Sequence, residues 1–227
     1  MGKFLYETHM HTSQGSGCGR NSGAEQARAY KKRGYQGIII TDHFINGYST
    51  CPKNSNFSWT EKMKYVVAGY LAAKTEGDKI GLDVFLGWEF TIRGSDFLTY
   101  GLDWDFLIDN PNFDKLEIDK YSALVRENNG FLAQAHPFRD RPYIQHKYPV
   151  DPEHVDAVEI FNASDPDKTN KKARDYAKLH NLPVQAGSDS HGIDNGFSSG
   201  IILDHRAEDI HDIISAIKCK KVELILP

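Results

Sequence analysis

The sequence has few cysteines and no long apolar run. Only three cysteines, Cys18, Cys51 and Cys219, occur among its 227 residues. Cysteines so few and so far apart do not form a disulfide framework, which favours a reducing, cytoplasmic setting. No stretch approaches the run of about 18 apolar residues that spans a membrane, and the first residues lack the apolar segment of a signal peptide. We therefore expect no membrane partner.

The chain also lacks a block of basic residues. It carries 27 Lys and Arg against 31 Asp and Glu, a formal net charge of −4. A mildly acidic protein without a basic cluster is poorly suited to hold duplex nucleic acid, which binds mainly through its phosphates. No linker-like tract, repeat or low-complexity segment divides the sequence, so a single domain over residues 1–227 is predicted.

Short apolar runs rich in β-forming residues alternate with helical patterns. The predicted strands are residues 4–6, 37–40, 82–86, 97–100, 131–135, 155–161, 183–186, 200–203 and 222–226. The predicted helices are residues 22–33, 58–75, 113–128, 165–180 and 207–219. Repeated strand–helix units indicate an α/β fold with a mainly parallel sheet. Residues 44–57 and 137–154 show no periodicity, and such long connections are either binding loops or lids, or solvated excursions.

Five of the ten histidines follow predicted strands, and acidic residues accompany them. The set is His9, His11, His43, Glu89, His136, Asp189 and His191. Because the carboxyl ends of parallel strands share one face of a sheet or barrel, we expect these side chains to converge. His146 lies in the second long loop, where it could meet a substrate, and the remaining four histidines read as incidental.

The spacing within two of these segments favours a shared ion. In an extended strand residues i and i+2 point the same way, so His9 and His11 can address one ion, as can Asp189 and His191. Imidazole and carboxylate ligands together suit Zn, Mn or Fe. Cys18 and Cys51 have two possible roles: metal ligands or small buried apolar residues.

Five motifs in the chain resemble, in the same order, those of the polymerase and histidinol phosphatase (PHP) family. They are Thr8-His9-Met10-His11-Thr12, Ile40-Thr41-Asp42-His43, Gly87-Trp88-Glu89, Ala135-His136-Pro137 and Gly187-Ser188-Asp189-Ser190-His191. No polymerase region accompanies them, so the resemblance is to small stand-alone members. It implies a distorted barrel of the (β/α)7 type, a cluster of two to three divalent ions at the strand ends, and phosphoester hydrolysis.

The resemblance also implies which residues hold each ion. His9, His11, Glu89 and Asp189 hold the first; Glu89 bridges to a second ion on His136; His43 and His191 hold the third. Two positions depart from the family pattern. Residues 14–19 lack the acidic residue or histidine that the family usually has there. The third ion therefore either binds weakly or takes Cys18 or a water molecule as a ligand. Asp96 lies near the position where family members usually have a histidine, and it is either a ligand of the second ion or a turn residue.

Three further residues are candidates for the catalytic machinery. Arg20 lies after a glycine-rich loop before a helix, and Arg139 lies three residues beyond His136. Each either binds a phosphate group or is an ordinary surface arginine. Asp42 either orients a histidine ligand or donates a proton. Asn162, at the end of a predicted strand, could add a polar contact.

These features predict a metal-dependent phosphoesterase that attacks a small phosphomonoester or nucleotide with a metal-activated hydroxide. Three divalent ions against three carboxylates leave a positive cleft in an acidic protein, which favours a small phosphorylated substrate. Three alternatives stay open: a C–N hydrolase of the amidohydrolase type, a non-catalytic metal-binding module, and an exonuclease on single-stranded ends. For the last, aromatic residues in the long loops could stack bases; they are Tyr48, Phe57, Tyr143 and Tyr148.

Overall fold

A computed structural model describes residues 2–145, 149–195 and 198–226; His146 and Tyr148, both considered above, lie outside it. The strands are β1 (Phe4–Glu7), β2 (Gly37–Ile40), β3 (Asp83–Ile92), β4 (Ser95–Tyr100), β5 (Phe131–Gln134), β6 (Ala157–Asn162), β7 (Val184–Gly187), β8 (Gly200–Leu203) and β9 (Glu223–Ile225). The α-helices are α1 (Gly23–Lys32), α2 (Trp59–Ile80), α3 (Trp104–Asp109), α4 (Ile118–Glu127), α5 (Asp167–Leu179) and α6 (Ile210–Lys218). Among these helices, none combines the length and the apolar character needed to cross a bilayer.

The described strands form one mixed sheet in the order β7-β6-β5-β4-β3-β2-β1-β8-β9. Strands β1 to β7 curl into a barrel, because the segments just beyond β1 and β7 meet through a parallel bridge between Met10 and Ser190. The His11 amide donates to the Ser190 carbonyl at 2.9 Å. Strands β8 and β9 extend the sheet beyond β1. The predicted barrel of the (β/α)7 type is thus confirmed, with two strands added.

The sheet is less parallel than the sequence predicts. The pairs β1–β2, β2–β3, β5–β6 and β6–β7 are parallel, whereas β3–β4, β4–β5, β1–β8 and β8–β9 are antiparallel. The antiparallel pair β3–β4 results from a two-residue turn between these strands. Arg93 and Gly94 have φ values of 50° and 85°, the positive pair that closes a tight hairpin. This hairpin extends β3 to Ile92. Glu89 therefore lies within the strand, whereas the sequence predicted that it follows the strand.

Helices α1 and α2 begin where their capping serines predict, whereas several other boundaries differ, among them the start of α6 at Ile210, three residues later than predicted. Ser22 and Ser58 form capping boxes at the starts of α1 and α2, which satisfy amide groups that the first turn leaves unpaired. Helix α2 runs five residues further than predicted and ends at Gly81 in the left-handed conformation (φ 69°). The predicted helix 113–128 divides into a short 3-10 helix and α4, and α3 was missed because six residues are too few to show periodicity.

Three apolar clusters position the strands. One lies inside the barrel, where residues of β1, β2, β4, β5, β6 and β8 meet the buried face of α6. A second packs α2, α3 and α4 against β3 to β6 around a group of stacked aromatic rings, and a third packs α1 and α2 against β2. Trp88 and Phe90, both fully buried in the second cluster, flank Glu89. Since neighbouring side chains on a strand point to opposite faces, Glu89 is directed into the carboxyl end of the barrel.

Candidate metal centre

The structure brings all eight predicted metal ligands together at the carboxyl end of the barrel. Potential ligand atoms lie within 4.8 Å of one another in five groups. These are His9–His11–Glu89, His9–His136–Asp189, Glu89–Asp96–His136, His11–Asp189–His191 and His11–Cys18–His43. His43 and His191 are partly exposed, whereas the other predicted ligands are buried. Of the remaining described histidines, His205 is exposed and pairs with Asp204 and Asp212.

Glu89 occupies the middle of the cluster, and its two carboxylate oxygens face different histidines. Oε1 lies 3.1 Å from His136 Nε2 and 3.3 Å from His9 Nε2. Oε2 lies 2.9 Å from His43 Nδ1 and 3.5 Å from His11 Nε2. Burial raises the pKa of Glu89, but the facing His43 and His9 outweigh it and hold the pKa well below its usual value. The carboxylate is therefore charged and able to contact two ions at once.

His9 is oriented by Glu159, a buried carboxylate of β6. Nδ1 of His9 lies 2.9 Å from Glu159 Oε1, and a hydrogen bond from Nδ1 to this carboxylate directs Nε2, the other ring nitrogen, at the cluster. Burial lowers the pKa of His9, but Glu159, Asp189 and Glu89 outweigh it and raise that pKa well above its usual value, so a proton or a metal cation is favoured at Nε2. Nε2 is fully buried, has no hydrogen-bond partner, and lies 3.3 Å from Glu89 and 3.6 Å from Asp189. Facing lone pairs this close repel unless a proton or a metal ion lies between them. This orphaned donor fits a divalent ion.

The two carboxylate oxygens of Asp189 have different partners, one in the cluster and the other in a guanidinium group. Its Oδ1 lies 3.1 Å from His11 Nε2, whereas Oδ2 accepts a hydrogen bond from Arg139 Nη2 at 2.7 Å. Arg139 also donates from Nε to Asp165 at 2.8 Å, and Asn162 donates weakly to the same Asp189 oxygen at 3.4 Å. The arginine holds one oxygen in place and leaves the other free to act as a ligand.

Asp96 lies beside His136, with 3.9 Å between its Oδ2 and the His136 Nε2. Its other oxygen accepts a hydrogen bond from Thr91 at 2.6 Å. Burial, reinforced by the charge of Glu89, raises the pKa of Asp96 to about 6. A nearby cation would reverse this shift, so the position suits a ligand better than a turn residue.

Two of these residues have strained backbones. His136 and Asp189, which follow β5 and β7, have φ values of 27° and 51°. Non-glycine residues rarely occupy this region, and strain of this kind concentrates at functional sites. The His136 amide donates to Glu159 Oε2 at 3.0 Å, so Glu159 supports the backbone of one histidine and the ring of another.

Asp42 lies beneath the cluster rather than in the cleft. It is fully buried and accepts hydrogen bonds from the Thr12 amide at 2.6 Å and the Ser16 hydroxyl at 2.7 Å. Ser16 Oγ in turn lies 3.1 Å from His11 Nδ1. Of the two roles considered for Asp42, this geometry favours orientation of His11 over proton donation.

The cluster opens into a cavity of about 570 Å³ between the two long loops. Described residues from 43–53 line one side and Arg139 and Tyr143 another, with Cys18 and His191 between them. Arg20 is exposed, its guanidinium packs near Gly192, and it is not among the described residues lining the cavity. Burial raises the pKa of the Cys18 thiol, but hydrogen bonds with His191 and His43 outweigh it and lower that pKa.

Sequence reasoning missed the residues that support the ligands. Glu159 and Glu7 are buried carboxylates on strands, and Glu7 Oε1 accepts hydrogen bonds from the amides of His9 and Ser188. The position of each of these two carboxylates in or beside an apolar strand was visible in the sequence. A carboxylate inside an apolar strand, such as Glu159 in Val155–Phe161, is costly to bury without a partner and so marks a polar interior.

Comparison with known proteins identifies the fold. A family profile described as PHP-associated matches residues 167–222, and no curated protein matches the chain. A two-domain protein from Bacteroides vulgatus containing a predicted PHP-like metal-dependent phosphoesterase superposes with a TM-score of 0.74 at 15% identity, covering 99% of this chain and 65% of that one. PsfC from Pseudomonas syringae gives 0.71 at 15% identity, covering 100% and 93%.

A third similar structure is the lesion-specific endonuclease PfuEndoQ from Pyrococcus furiosus, with a TM-score of 0.63 at 13% identity, covering 99% of this chain and 58% of that one. The chain therefore spans less than two thirds of two of these three proteins. The shared fold, together with the family profile, confirms the resemblance to the PHP family that the five motifs predicted.

Proposed function

We propose that this protein is a metal-dependent phosphoesterase that hydrolyses small phosphomonoesters. The observation that carries the proposal is the convergence of eight imidazole and carboxylate ligands beneath one cavity, with the Arg139 guanidinium at its wall. Bound divalent ions would supply a hydroxide nucleophile at neutral pH and neutralise charge on the phosphoryl oxygens. This chemistry needs no serine or cysteine nucleophile.

The side chains of this chain have separate tasks in that reaction. Glu89 holds two ligand positions at a fixed separation, because its two oxygens face different histidines. His9 and His11 keep their Nε2 atoms directed into the cluster through Glu159 and Ser16. Arg139 holds Asp189 and presents its positive charge to the cavity, where a guanidinium pairs well with phosphate oxygens.

The size and charge of the cavity support a small substrate. About 570 Å³ is within the range of small-molecule sites, roughly 300–1,000 Å³. Three of the candidate ligands, Glu89, Asp96 and Asp189, are buried carboxylates, and two to three divalent ions would outweigh the negative charge of those three. The whole chain has a formal net charge of −4 before any ion is bound, which disfavours long polyanions.

A direct test is hydrolysis by protein loaded with zinc, manganese or iron. We expect release of inorganic phosphate from several members of a phosphomonoester panel, and inhibition by free phosphate. Asp189→Asn should lower the rate strongly, whereas Asp156→Asn, a carboxylate before β6 that bonds Arg126, should not. Loaded protein that is inert toward the whole panel would refute the proposal, and amide hydrolysis without phosphate release would establish the C–N hydrolase instead.

A nucleic-acid end is a second candidate substrate. Tyr48 and Tyr143 are each 61% exposed and line the same cavity, where aromatic side chains can stack bases. Degradation of single-stranded oligonucleotides that falls sharply in Tyr48→Ala and Tyr143→Ala, with phosphomonoester turnover unchanged, would favour this alternative. Equal loss on both substrate classes would argue against it.

A further inference from the structure

Cys18 lies in the metal cluster, in the segment that joins β1 to α1. Potential ligand atoms of His11, Cys18 and His43 all lie within 4.8 Å of one another. The rings of His11 and His43 stack with centroids 4.5 Å apart, and those of His11 and His191 with centroids 4.8 Å apart. The thiol therefore faces a group of imidazoles and not an apolar surface.

The backbone around Cys18 is held tightly in place. The Gly17 amide donates to the Tyr48 carbonyl at 2.7 Å, and the Arg20 amide donates to the His191 carbonyl at 2.8 Å. Gly19 approaches the Thr12 backbone so closely that a Cβ there would collide with it. These contacts fix the segment against the barrel end on both sides of the cysteine.

The other two cysteines differ in every respect that matters here. Cys51 is buried and Cys219 is exposed after α6. Neither belongs to a potential ligand group among the described residues, and of the three only Cys18 is among the described residues lining the cavity.

We propose that Cys18 is a metal ligand whose thiolate, together with His43, binds one divalent ion and makes that position selective for zinc. The inference rests on the proposed function only in requiring that this cluster binds metal. Imidazole and thiolate ligands form the usual zinc set, whereas Mn²⁺ and Mg²⁺ prefer carboxylate and water oxygens. The cluster would then combine oxygen-rich positions at Glu89 with one nitrogen–sulfur position.

Cobalt substitution tests the ligand directly, because a cobalt–thiolate bond produces a near-ultraviolet charge-transfer band. Metal-free protein titrated with Co²⁺ should develop this band, and its intensity at saturation should correspond to one thiolate-bound cobalt per chain. Cys219→Ser, the matched control, should keep the band, and Cys18→Ser should lack it while keeping the visible bands of cobalt at the histidine sites. Absence of the band in the unsubstituted protein, or its persistence in Cys18→Ser, would overturn the proposal.

Thiol protection provides a measurement that does not depend on a variant folding. The unsubstituted protein is alkylated with iodoacetamide, with and without zinc, and the modified peptides are identified by mass spectrometry. Zinc should protect Cys18, magnesium should not, and Cys219 should react in every sample. Equal labelling of Cys18 with and without zinc would contradict the assignment.

Neither readout depends on turnover, so the two proposals fail separately. A protein that hydrolyses phosphomonoesters but shows no band and no protection would refute only the thiolate ligand. A protein with both signals but no hydrolysis would refute only the phosphoesterase.

Discussion

Replacing Glu159 with glutamine should weaken metal binding without removing any ligand. Glu159 accepts hydrogen bonds from three donors: His9 Nδ1 at 2.9 Å, the His136 amide at 3.0 Å and Asn162 Nδ2 at 2.9 Å. Glutamine has one carbonyl oxygen and one amide group, so it cannot accept on both sides. If its oxygen stays with His136 and Asn162, its amide faces His9 Nδ1, which must then give up its proton.

The consequence reaches the cluster through the imidazole. A proton moved from Nδ1 to Nε2 occupies the electron pair that faces Glu89 and Asp189. Loss of a supporting group of this kind typically costs about 10–100-fold in metal affinity, which corresponds to about 1.4–2.7 kcal/mol. Glu159→Gln should therefore weaken zinc binding by one to two orders of magnitude.

Competition with a chromogenic chelator would measure the affinity, and nitrogen NMR of the imidazoles would report which nitrogen of His9 is protonated. Asp156→Asn is the matched control, since this carboxylate also accepts a backbone amide, from Leu132 at 3.0 Å, at the opposite end of β6. Unchanged zinc affinity in a folded Glu159→Gln protein, or an equal loss in Asp156→Asn, would refute the reasoning.

Three further predictions concern the surroundings of the cluster. Arg139→Ala should lower kcat/KM for phosphomonoesters by at least about tenfold, or about 1.4 kcal/mol, because Asp189 loses its guanidinium; steady-state kinetics with an unchanged rate would contradict this. Gly69→Ala should lower the free energy of unfolding by about 1–3 kcal/mol, since its Cβ would collide with Asp42; urea denaturation measures it, and an unchanged midpoint would count against the packing. Burial raises the pKa of Glu7 from 4.5 to about 7, so ionisation of this group should cost metal-free protein about 3 kcal/mol of stability as the pH rises from 4.5 to above 7. Other buried groups such as Asp96 titrate in the same range, so Glu7→Gln should make the slope shallower without abolishing it, and a pH profile of unfolding identical to that of the unsubstituted protein would disprove the shift.

The fold could be predicted from the sequence where its signals are local. All nine strands were predicted, because each is a short apolar run ended by glycine, proline or a polar residue. Strand direction was predicted less well, since it depends on whether a connection is a crossover helix or a tight turn. The first strand of the hairpin was predicted to end at residue 86 and runs to Ile92, so the tight turn at Arg93–Gly94 was not recognised. The assignment of residues 1–227 to one domain stays a prediction.

The site could be predicted where residue type and position agree. Seven of the eight candidate ligands converge because each lies at or near the carboxyl end of a strand, which the sequence shows directly. Asp96 joins them from the amino end of β4, because that strand is antiparallel to its neighbours. Their roles as ligands, and the catalytic roles of Arg20, Arg139 and Asp42, stay predictions. The supporting residues Glu159 and Ser16 were missed because their partners are distant in the sequence, and only three-dimensional proximity shows what they orient.

The closure of the barrel at Met10 and Ser190 has a consequence for assembly. Few backbone hydrogen bonds join the segments beyond β1 and β7 there, at 2.9 and 3.4 Å, and the two segments are about 180 residues apart along the chain. Candidate ligands lie on both sides of this seam, His9 and His11 on one and Asp189 and His191 on the other. An ion bound by ligands from both segments would link them. Binding of that ion would therefore complete the metal centre and stabilise the closed barrel at the same time.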